Sequence, residues 1–439
     1  MHLLYTLEEI SSFNSSIEKI VFSKDLRRLK NKTQLFSVGS GDHFRNRMTH
    51  TLEVLYISKE IGRQLELFFQ EFFKDLGSPQ IISFELLEAI ALGHDLGHTP
   101  FGHIGERTLQ GILSRKDNLG GLVHNISIDT SDDYQEWQKL IKAHSFFKHN
   151  ANSVSILRNI GLGDWRILDG ILKHTDISYT KDASSIPVDE LNWLKFLIKD
   201  TKLWKIYFPT GQSSIATHAL TLEGQIVKVA DEIAQKHSDF DDMVRDNINL
   251  KLPDILPHNG SETLRAYNTR LLVEIKNQLI QSTVASFKKK FSKPFTGLSI
   301  VEVKAKLEKC DTQYFDVYSS GPAIKIQKVH DELFNEISKI RRFDGKSQHV
   351  VRQLFKAYYN NPALLDEKTQ KRIQEDYKAR TKMDNPFSEC VKHMKVINCR
   401  AETNKNDFLV GNILLKRIAE HISYMTDDFA LAEYSELYL

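Results

Sequence analysis

Cysteine is scarce in this chain, and the few cysteines form no pattern. Cys310, Cys390 and Cys399 are the only ones among 439 residues, and no pair has the two-residue spacing of a zinc ribbon or a redox motif. The sequence therefore gives no indication of a disulfide framework or a cysteine-based zinc site. We interpret the three as ordinary thiols.

Long hydrophobic runs are also missing. No stretch of about 18 or more apolar residues lacks charges, which argues against a membrane-spanning helix. Residues 1–10 have neither the basic start nor the long apolar segment of a secretory signal. The sequence therefore predicts a cytoplasmic protein with no membrane partner.

Neither sign of charge dominates. The 59 lysines and arginines nearly balance the 57 aspartates and glutamates, for a net charge of +2, which excludes a protein that coats nucleic acid by bulk charge. Basic clusters at 24–32 and 288–293 are typical of solvated helix faces, although the first lies close to Gln34.

What the sequence has in abundance is helical periodicity. Apolar residues recur at helical spacing, with glycine and proline at the joins, and strand signals are few. The best strand candidate is 312–318, from its aromatic and β-branched content. The predicted helices are 48–75, 83–96, 104–114, 135–147, 149–161, 164–174, 189–199, 216–236, 262–291, 325–340, 346–360 and 408–425.

The length predicts two lobes. At 439 residues the chain exceeds the ~250–300 residues at which a single core usually stops growing. A stretch rich in proline and polar residues follows residue 250, so we predict a core at 1–250 and a mostly helical lobe at 251–439. Residues 115–134 read as a mobile surface insertion over the site.

The most informative motif is His94-Asp95, at the end of a very apolar predicted helix. An imidazole beside a carboxylate can bind one hard or borderline divalent cation. His50 opens a long amphipathic segment, and Asp231 flanks an apolar helical face, where an unpaired carboxylate would cost several kcal/mol. A metal or a basic partner is therefore expected near Asp231, although histidines near a carboxylate are more often surface or satisfied core groups.

Many short sequence motifs occur in the order found in one enzyme family. The chain resembles the HD-domain metal phosphohydrolases, and in particular the deoxyguanosinetriphosphate triphosphohydrolases, from about residue 20 to the C-terminus. The resemblance implies a mainly α fold, with an HD phosphohydrolase core and a mostly helical C-terminal lobe that completes the substrate pocket and an oligomer interface. The matching words are 26–29, 32–36, 47–54, 89–103, 149–151, 170–174, 223–227 with Asp231, and 424–427.

The resemblance also assigns the metal site. It implies that His50, His94, Asp95 and Asp231 bind a divalent ion, which could be Mn, Mg, Fe, Co, Ni or Zn. Two imidazoles and two carboxylates neutralise such an ion and leave positions open for water and a phosphate oxygen.

Further residues are implied to act on the substrate. His103 is the proton-transfer group, and Glu106, one turn later, can orient its ring. His98 is a candidate phosphate ligand, or equally a histidine that satisfies carbonyls at a helix end. His149 resembles a second active-site histidine.

Four polar residues resemble substrate contacts. Gln34 resembles the glutamine at the sugar, and Asp239 an aspartate that reads the 3′-hydroxyl. Arg47 and Lys173 are implied to contact the triphosphate, although as plain sequence they could equally be surface cations. For the word at 424–427 we favour a packing role.

Three departures affect selectivity. Lys148 stands where the family commonly has Glu before His149. Gln235 stands where a Tyr that helps exclude a ribose 2′-hydroxyl is usual, and 236–239 replaces a segment in which His directly precedes the Asp.

The expected activity is hydrolysis of a deoxynucleoside triphosphate, with dGTP as the expected substrate, to the deoxynucleoside and tripolyphosphate. The resemblance implies attack at the α-phosphorus, a homo-oligomer (hexamer or tetramer), and regulation by a nucleotide or single-stranded DNA. One alternative is an HD phosphohydrolase for another nucleotide, such as a monophosphate. The other is a degenerate nucleotide-sensing or DNA-binding protein, which would not need to keep His103 and Glu106.

Overall fold

Every regular element in the described part of the chain is helical. The computed structural model describes residues 5–34, 45–77, 80–124, 147–175, 218–245, 256–257, 261–295, 297–299, 302–303, 313–336, 338–400 and 404–438. Fifteen α-helices lie in these ranges and no strand, apart from one isolated bridge between Thr33 and Asn46. The predicted mainly α fold is confirmed.

The helices are numbered here in chain order. They are α1 Leu7–Val21, α2 Lys24–Arg28, α3 Arg47–Phe72, α4 Phe84–Gly93, α5 Gly102–Leu113, α6 His149–Asn159, α7 Trp165–Leu172, α8 Leu222–Arg245, α9 Leu264–Phe295, α10 Gly321–Glu336, α11 Ser338–Asn360, α12 Glu367–Thr381, α13 Phe387–Asn398, α14 Lys405–Ser423 and α15 Asp427–Tyr438.

Local sequence fixes the helices that carry the predicted metal ligands. Asn46 caps α3, and it forms a reciprocal capping box with Thr49, so His50 lies in the first turn. Ser83 caps α4, a helix that is apolar on nearly every face and buried accordingly. The helix α4 packs against both α3 and α8. These contacts hold the end of α4, where His94 begins, in the interior.

Two hydrophobic cores divide the helices. The first contains α3, α4, α7 and α8 together with much of α9. The second contains α11 to α15, and also Phe101, Leu109, Ile112 and Leu113 from the α5 region. The helix with His103 and Glu106 is therefore anchored in a different core from the helices with the predicted metal ligands, and the site lies where the two cores meet.

The strand prediction at 312–318 is wrong for residues 313–318, which form coil and a turn. Tyr314 and Phe315 are buried against Phe287 of α9, and the amide of Tyr314 donates to the side chain of Gln225, 2.9 Å away. The aromatic content that suggested a strand reflects packing between helices.

Residues 115–124, the described part of the predicted insertion, pack against the second core. Leu119 and Val123 are buried in the second core. The buried guanidinium of Arg115 donates to the side chains of Asn398 and Asn412, at 2.7 and 3.3 Å. The rest of the predicted insertion, residues 125–134, lies outside the described residues, as do the predicted helix at 189–199 and most of that at 135–147.

The cysteines and the hydropathy of the helices can also be read from the structure. Cys390 and Cys399 are free thiols, and Cys310 lies outside the described residues. None of the described helices has the length and hydropathy to span a membrane.

Candidate active site

The structure brings the four predicted metal ligands together. His50 Nε2 lies 2.9 Å from Asp231 Oδ1. The Nε2 atom of His94 lies 3.7 Å from Asp95 Oδ1 and 3.8 Å from Asp231 Oδ1. His50, His94 and Asp95 are buried, whereas Asp231 is partly open to solvent. The first turn of α3, the residues that follow α4 and the middle of α8 thus converge on one small polar volume.

The arrangement of His94 fits a cation. Its Nδ1 lies 2.7 Å from the carbonyl oxygen of Ala91, so the ring hydrogen is donated there and the lone pair is on Nε2. That buried Nε2 has no hydrogen-bond partner among the described residues, and it faces two carboxylates. Metal-binding histidines typically have their second nitrogen bound to a carbonyl or carboxylate in this way. The ligand atoms of His50, His94 and Asp231 also lie within 4.8 Å of one another.

Neighbouring charges keep the carboxylates ionised. Burial alone would raise the pKa of Asp95, but Arg47, with Nη1 2.7 Å from Asp95 Oδ2, and the nearby imidazoles hold that pKa well below its usual range. Burial likewise opposes ionisation of Asp231, yet its hydrogen bond with His50 and the charges of nearby imidazoles lower its pKa. Ionised carboxylates are the form that binds a divalent cation.

Arg47 links the metal candidates to α5. Its guanidinium is buried, and Nε and Nη2 have no hydrogen-bond partner among the described residues. Gly102 has φ +61°, a backbone conformation that favours glycine, and a Cβ atom there would come within 2.9 Å of Arg47 Nη2. Arg47, predicted to contact the triphosphate, is thus placed between Asp95 and the start of α5.

A second cluster consists of histidines. The rings of His98 and His149 stack with centroids 3.9 Å apart, and His103 lies 5.0 Å from His98 and 5.8 Å from His149. His98 and His149 are buried, but His103 is exposed. The surrounding protein and the charge of Arg47 lower the pKa of His103, which favours a neutral ring. His103 is therefore the imidazole of this cluster that a ligand can reach from solvent.

Glu106 orients a different ring from the one expected. Its Oε2 lies 2.5 Å from His149 Nδ1 and 2.8 Å from the His149 backbone nitrogen. Glu106 is buried on α5 and His103 is exposed, and both side chains lie next to the ring of His149. Burial raises the pKa of Glu106, but His149 and Lys148 outweigh it and lower that pKa.

The unusual Lys148 lies beside this pair. Its Nζ is 3.5 Å from Glu106 Oε1, and its side chain is partly exposed. A lysine here adds positive charge where the resemblance leads us to expect a carboxylate. Lysine in place of the expected glutamate therefore changes the charge beside Glu106.

His174 was missed as a site residue, although it ends the matching word at 170–174. Its Nδ1 lies 2.6 Å from the Ile171 carbonyl oxygen, and its Nε2 lies 3.1 Å from His149 Nε2. Glu106 and the Ile171 carbonyl accept at the Nδ1 atoms of these rings, so the two Nε2 atoms face each other. Asp95, His149 and His174 indeed form another group whose ligand atoms lie within 4.8 Å.

The predicted substrate residues differ in their burial and in their hydrogen-bond partners. Gln34 has a buried Oε1 with no hydrogen-bond partner in the described part of the chain. Lys173 is fully buried with Nζ 2.6 Å from Asp169, so a phosphate contact would require that pair to open. Asp239 lies 2.8 Å from His330 Nε2, and Gln235 is half-buried one turn after Asp231.

The motif at 424–427 does not only pack a helix but also forms hydrogen bonds to distant segments. Asp427 is buried and accepts hydrogen bonds from the amides of Thr33, at 2.9 Å, and Phe101, at 2.8 Å, and also from the Thr33 hydroxyl. Lys32 Nζ donates to the carbonyls of His98 and Ser423. The C-terminal helices thereby hold the segments before Gln34 and before His103, and only the resemblance singled out this word.

The fold and this arrangement agree with comparisons to known proteins. Residues 47–235 match the HD domain family model, a range that includes all four predicted metal ligands. The chain is therefore similar to the HD-domain family over this range.

The similarity to named proteins extends over most of the chain. It is 27% identical over 98% of its length to a deoxyguanosinetriphosphate triphosphohydrolase-like protein of Caldanaerobacter subterraneus, of which 85% is covered. Proteins of the same name from Geobacter metallireducens and Rickettsia bellii are 28% and 27% identical, over 83% and 97% of this chain and 81% and 91% of their own. The resemblance seen in the sequence is confirmed, and it supports a metal-dependent phosphohydrolase.

Proposed function

We propose that this protein hydrolyses a deoxynucleoside triphosphate, with dGTP as the first candidate, to the deoxynucleoside and tripolyphosphate. The observation that carries the proposal is the cluster of His50, His94, Asp95 and Asp231, of which the first three are buried, next to an exposed imidazole. The names of the similar proteins support the choice of substrate. The departures at Lys148 and Gln235 concern selectivity and leave the cluster intact.

The four ligands would hold one divalent cation. The ligand atoms of His50, His94 and Asp231 lie within 4.8 Å of one another, and Asp95 Oδ1 lies 3.7 Å from His94 Nε2. Among the described residues, the buried His94 Nε2 has no hydrogen-bond partner. Such a cation supplies a Lewis acid that polarises a phosphoryl oxygen and makes water more acidic. The pair of Arg47 and Asp95 fixes one carboxylate oxygen, which orients the other towards the cluster.

The protein's own groups would handle the protons. In the proposed reaction, water forms a bond to the α-phosphorus, the bond from that phosphorus to the 5′ oxygen breaks, and the 5′ oxygen takes up a proton. His103 is exposed beside the cluster and its lowered pKa keeps it neutral at pH 7, so it can accept the proton of water and return it to the leaving oxygen. Glu106 holds His149, and the stacked rings of His149 and His98 support the wall beside His103.

Positive charge is available for the phosphates. The guanidinium of Arg47 has two nitrogens without hydrogen-bond partners in the described part of the chain, and Lys148 lies at the partly exposed edge of the cluster. Oxygen-rich anions bind such groups strongly. We also propose that the C-terminal helices complete the pocket, since Asp427 holds the segments before Gln34 and His103. The hexamer or tetramer, the effector and the cytoplasmic location stay predictions.

Product analysis tests the proposal. The purified protein would be incubated with each dNTP and NTP, and with the monophosphates, in Mn²⁺ or Mg²⁺, and the products separated by ion-exchange chromatography. We expect deoxynucleoside and tripolyphosphate in equal amounts. Release of free phosphate from a monophosphate would instead support the alternative phosphohydrolase, and no turnover of any nucleotide by metal-loaded protein would support a binding protein.

A further inference from the structure

Two buried histidines face each other beside the candidate metal ligands. His149 begins α6 and His174 follows α7, and their Nε2 atoms lie 3.1 Å apart. Asp95 completes the group, since one oxygen of its carboxylate and one nitrogen of each ring lie within 4.8 Å of one another. All three side chains are buried. We call Asp95, His149 and His174 the inner cluster.

Hydrogen bonds determine which nitrogen of each ring carries the hydrogen. His149 Nδ1 lies 2.5 Å from Glu106 Oε2, and His174 Nδ1 lies 2.6 Å from the Ile171 carbonyl oxygen. An ionised carboxylate and a carbonyl only accept hydrogen bonds, so both Nδ1 atoms donate. In neutral rings the two Nε2 atoms then carry lone pairs at a separation of 3.1 Å. Such a contact is stabilised by a cation or by a shared proton, because two lone pairs alone repel each other.

The separation of the two Nε2 atoms suits a metal ion. An ion about 2.1 Å from each nitrogen, a usual bond length, would make an angle of about 95° between the two bonds, close to the right angle of neighbouring octahedral positions. The acceptors at the Nδ1 atoms are also typical, because metal-binding histidines donate their second N–H to a carboxylate or a carbonyl. Two imidazoles and one carboxylate suit a borderline divalent ion such as Mn²⁺, Fe²⁺, Co²⁺ or Zn²⁺.

Contacts that involve no ligand hold the inner cluster together. Gly97 lets α6 begin close to the segment after α4, since a Cβ atom on this glycine would clash with the His149 carbonyl oxygen. The side chain of Asn150 donates to the Leu172 carbonyl oxygen, 2.6 Å away, and thereby joins the start of α6 to the end of α7. The fold itself therefore brings the two rings to the carboxylate of Asp95.

We propose that the inner cluster binds a second divalent cation, next to the one assigned to His50, His94, Asp95 and Asp231. The sets of ligand atoms are separate, because the group of His50, His94 and Asp231 shares no residue with the inner cluster. Asp95 lies between them, with Oδ1 3.7 Å from His94 Nε2, so its carboxylate would contact both ions.

The second site should be the weaker of the two. The first site has two carboxylates to neutralise a divalent ion, whereas the inner cluster has only Asp95, whose Oδ2 already pairs with Arg47 at 2.7 Å. Repulsion between two neighbouring cations weakens the second site further. The protein as purified therefore retains the first ion, and the second binds when divalent metal is added.

A second ion also accounts for the observed partner of Glu106. Glu106 contacts the ring of His149, and a carboxylate in this position orients a metal-binding imidazole and raises its basicity. Glu106 is then a positioning residue for the second ion. In an effect that rests on the proposed function, two adjacent cations would stabilise the attacking and the leaving oxygen of phosphoryl transfer.

Titration of chelator-treated protein with Mn²⁺, without nucleotide, tests the proposal when free Mn²⁺ is followed by electron paramagnetic resonance. The parent should bind about two ions per chain, one tightly and one weakly. His174→Ala should lose the weak site and keep the tight one. Glu106→Gln keeps the shape of its side chain and should weaken the second ion on the order of 10- to 100-fold, and it serves if His174→Ala does not fold. His330→Ala, at a buried histidine outside both sites, is the control and should bind both ions.

The outcomes separate the second ion from the proposed function. Binding of a single Mn²⁺ ion by the parent, even in excess metal, would overturn the second site and assign a shared proton to the contact of His149 with His174. Equal affinity for the second ion in the parent, His174→Ala and Glu106→Gln would also overturn it. Because nucleotide is absent, neither result bears on hydrolysis, whereas lack of turnover by protein that holds both ions would count against the proposed function alone.

Discussion

Replacement of Asp427 by alanine should weaken the fold and the active site together. Asp427 is buried and satisfies two backbone amides, those of Thr33 and Phe101, as well as the Thr33 hydroxyl. A buried donor left without a partner costs about 1–3 kcal/mol, so the two amides give a loss of about 2–6 kcal/mol in the free energy of unfolding. Lys32, a buried cation whose pKa burial lowers to about 7, would also lose a compensating charge.

The assay is urea denaturation followed by circular dichroism, with turnover measured on the folded fraction. Asp428→Ala is the matched control, because this neighbouring aspartate is exposed, and exposed substitutions usually change stability by less than about 0.5 kcal/mol. Asp427→Asn keeps one acceptor oxygen and should lose less than Asp427→Ala. Turnover should fall with metal content unchanged, since the displaced segments precede Gln34 and His103. Equal stability and turnover in Asp427→Ala and Asp428→Ala would refute this reasoning.

Three further outcomes are expected. His103→Ala should keep its metal and lose ~10²–10⁴ in kcat, whereas turnover at the parent rate would remove its assigned role. Stability should fall as the pH drops below about 6.5, because burial lowers the folded-state pKa of His174 to about 3 and only the unfolded chain then binds its proton; the slope in urea denaturation should be smaller in His174→Gln, and an equal slope would contradict this. Gln235→Tyr should raise the ratio of kcat/KM for dGTP to that for GTP, because the parent is expected to lack ~1–3 kcal/mol of selectivity for the deoxy substrate. An unchanged ratio would assign sugar selectivity to another group.

Much of the fold was readable because helical periodicity is strong and glycine and proline mark the joins. The helices α3, α4 and α9 were predicted with boundaries a few residues off, whereas the helix predicted at 216–236 begins six residues before α8 and stops nine residues before the end of α8. The helices at Leu7–Val21, Glu367–Thr381 and Phe387–Asn398 were not predicted, and the second of these is highly charged, with its apolar contacts limited to a few positions such as Ile373 and Tyr377. Such a helix is stabilised by the core that it joins, which a local pattern does not reveal.

The candidate metal ligands could be recognised in the sequence, whereas the contacts of Glu106 and Asp427 could not. A histidine and an aspartate at the end of an apolar helix conflict with their surroundings, and that conflict is visible in sequence. The partner of Glu106 is not, because His149 lies 43 residues away and meets it only through the fold. Asp427 and Thr33 are 394 residues apart, so no spacing rule could connect them.

Metal content, measured by inductively coupled plasma mass spectrometry on purified protein, tests the central claim most directly. The parent should hold a divalent metal at about one ion per chain, and His94→Ala and Asp231→Ala should each lose it together with turnover while remaining largely helical. Asp241→Ala, on the same helix as Asp231 but paired with Arg45, serves as the control and should retain the metal. Full metal occupancy in both His94→Ala and Asp231→Ala would contradict the account.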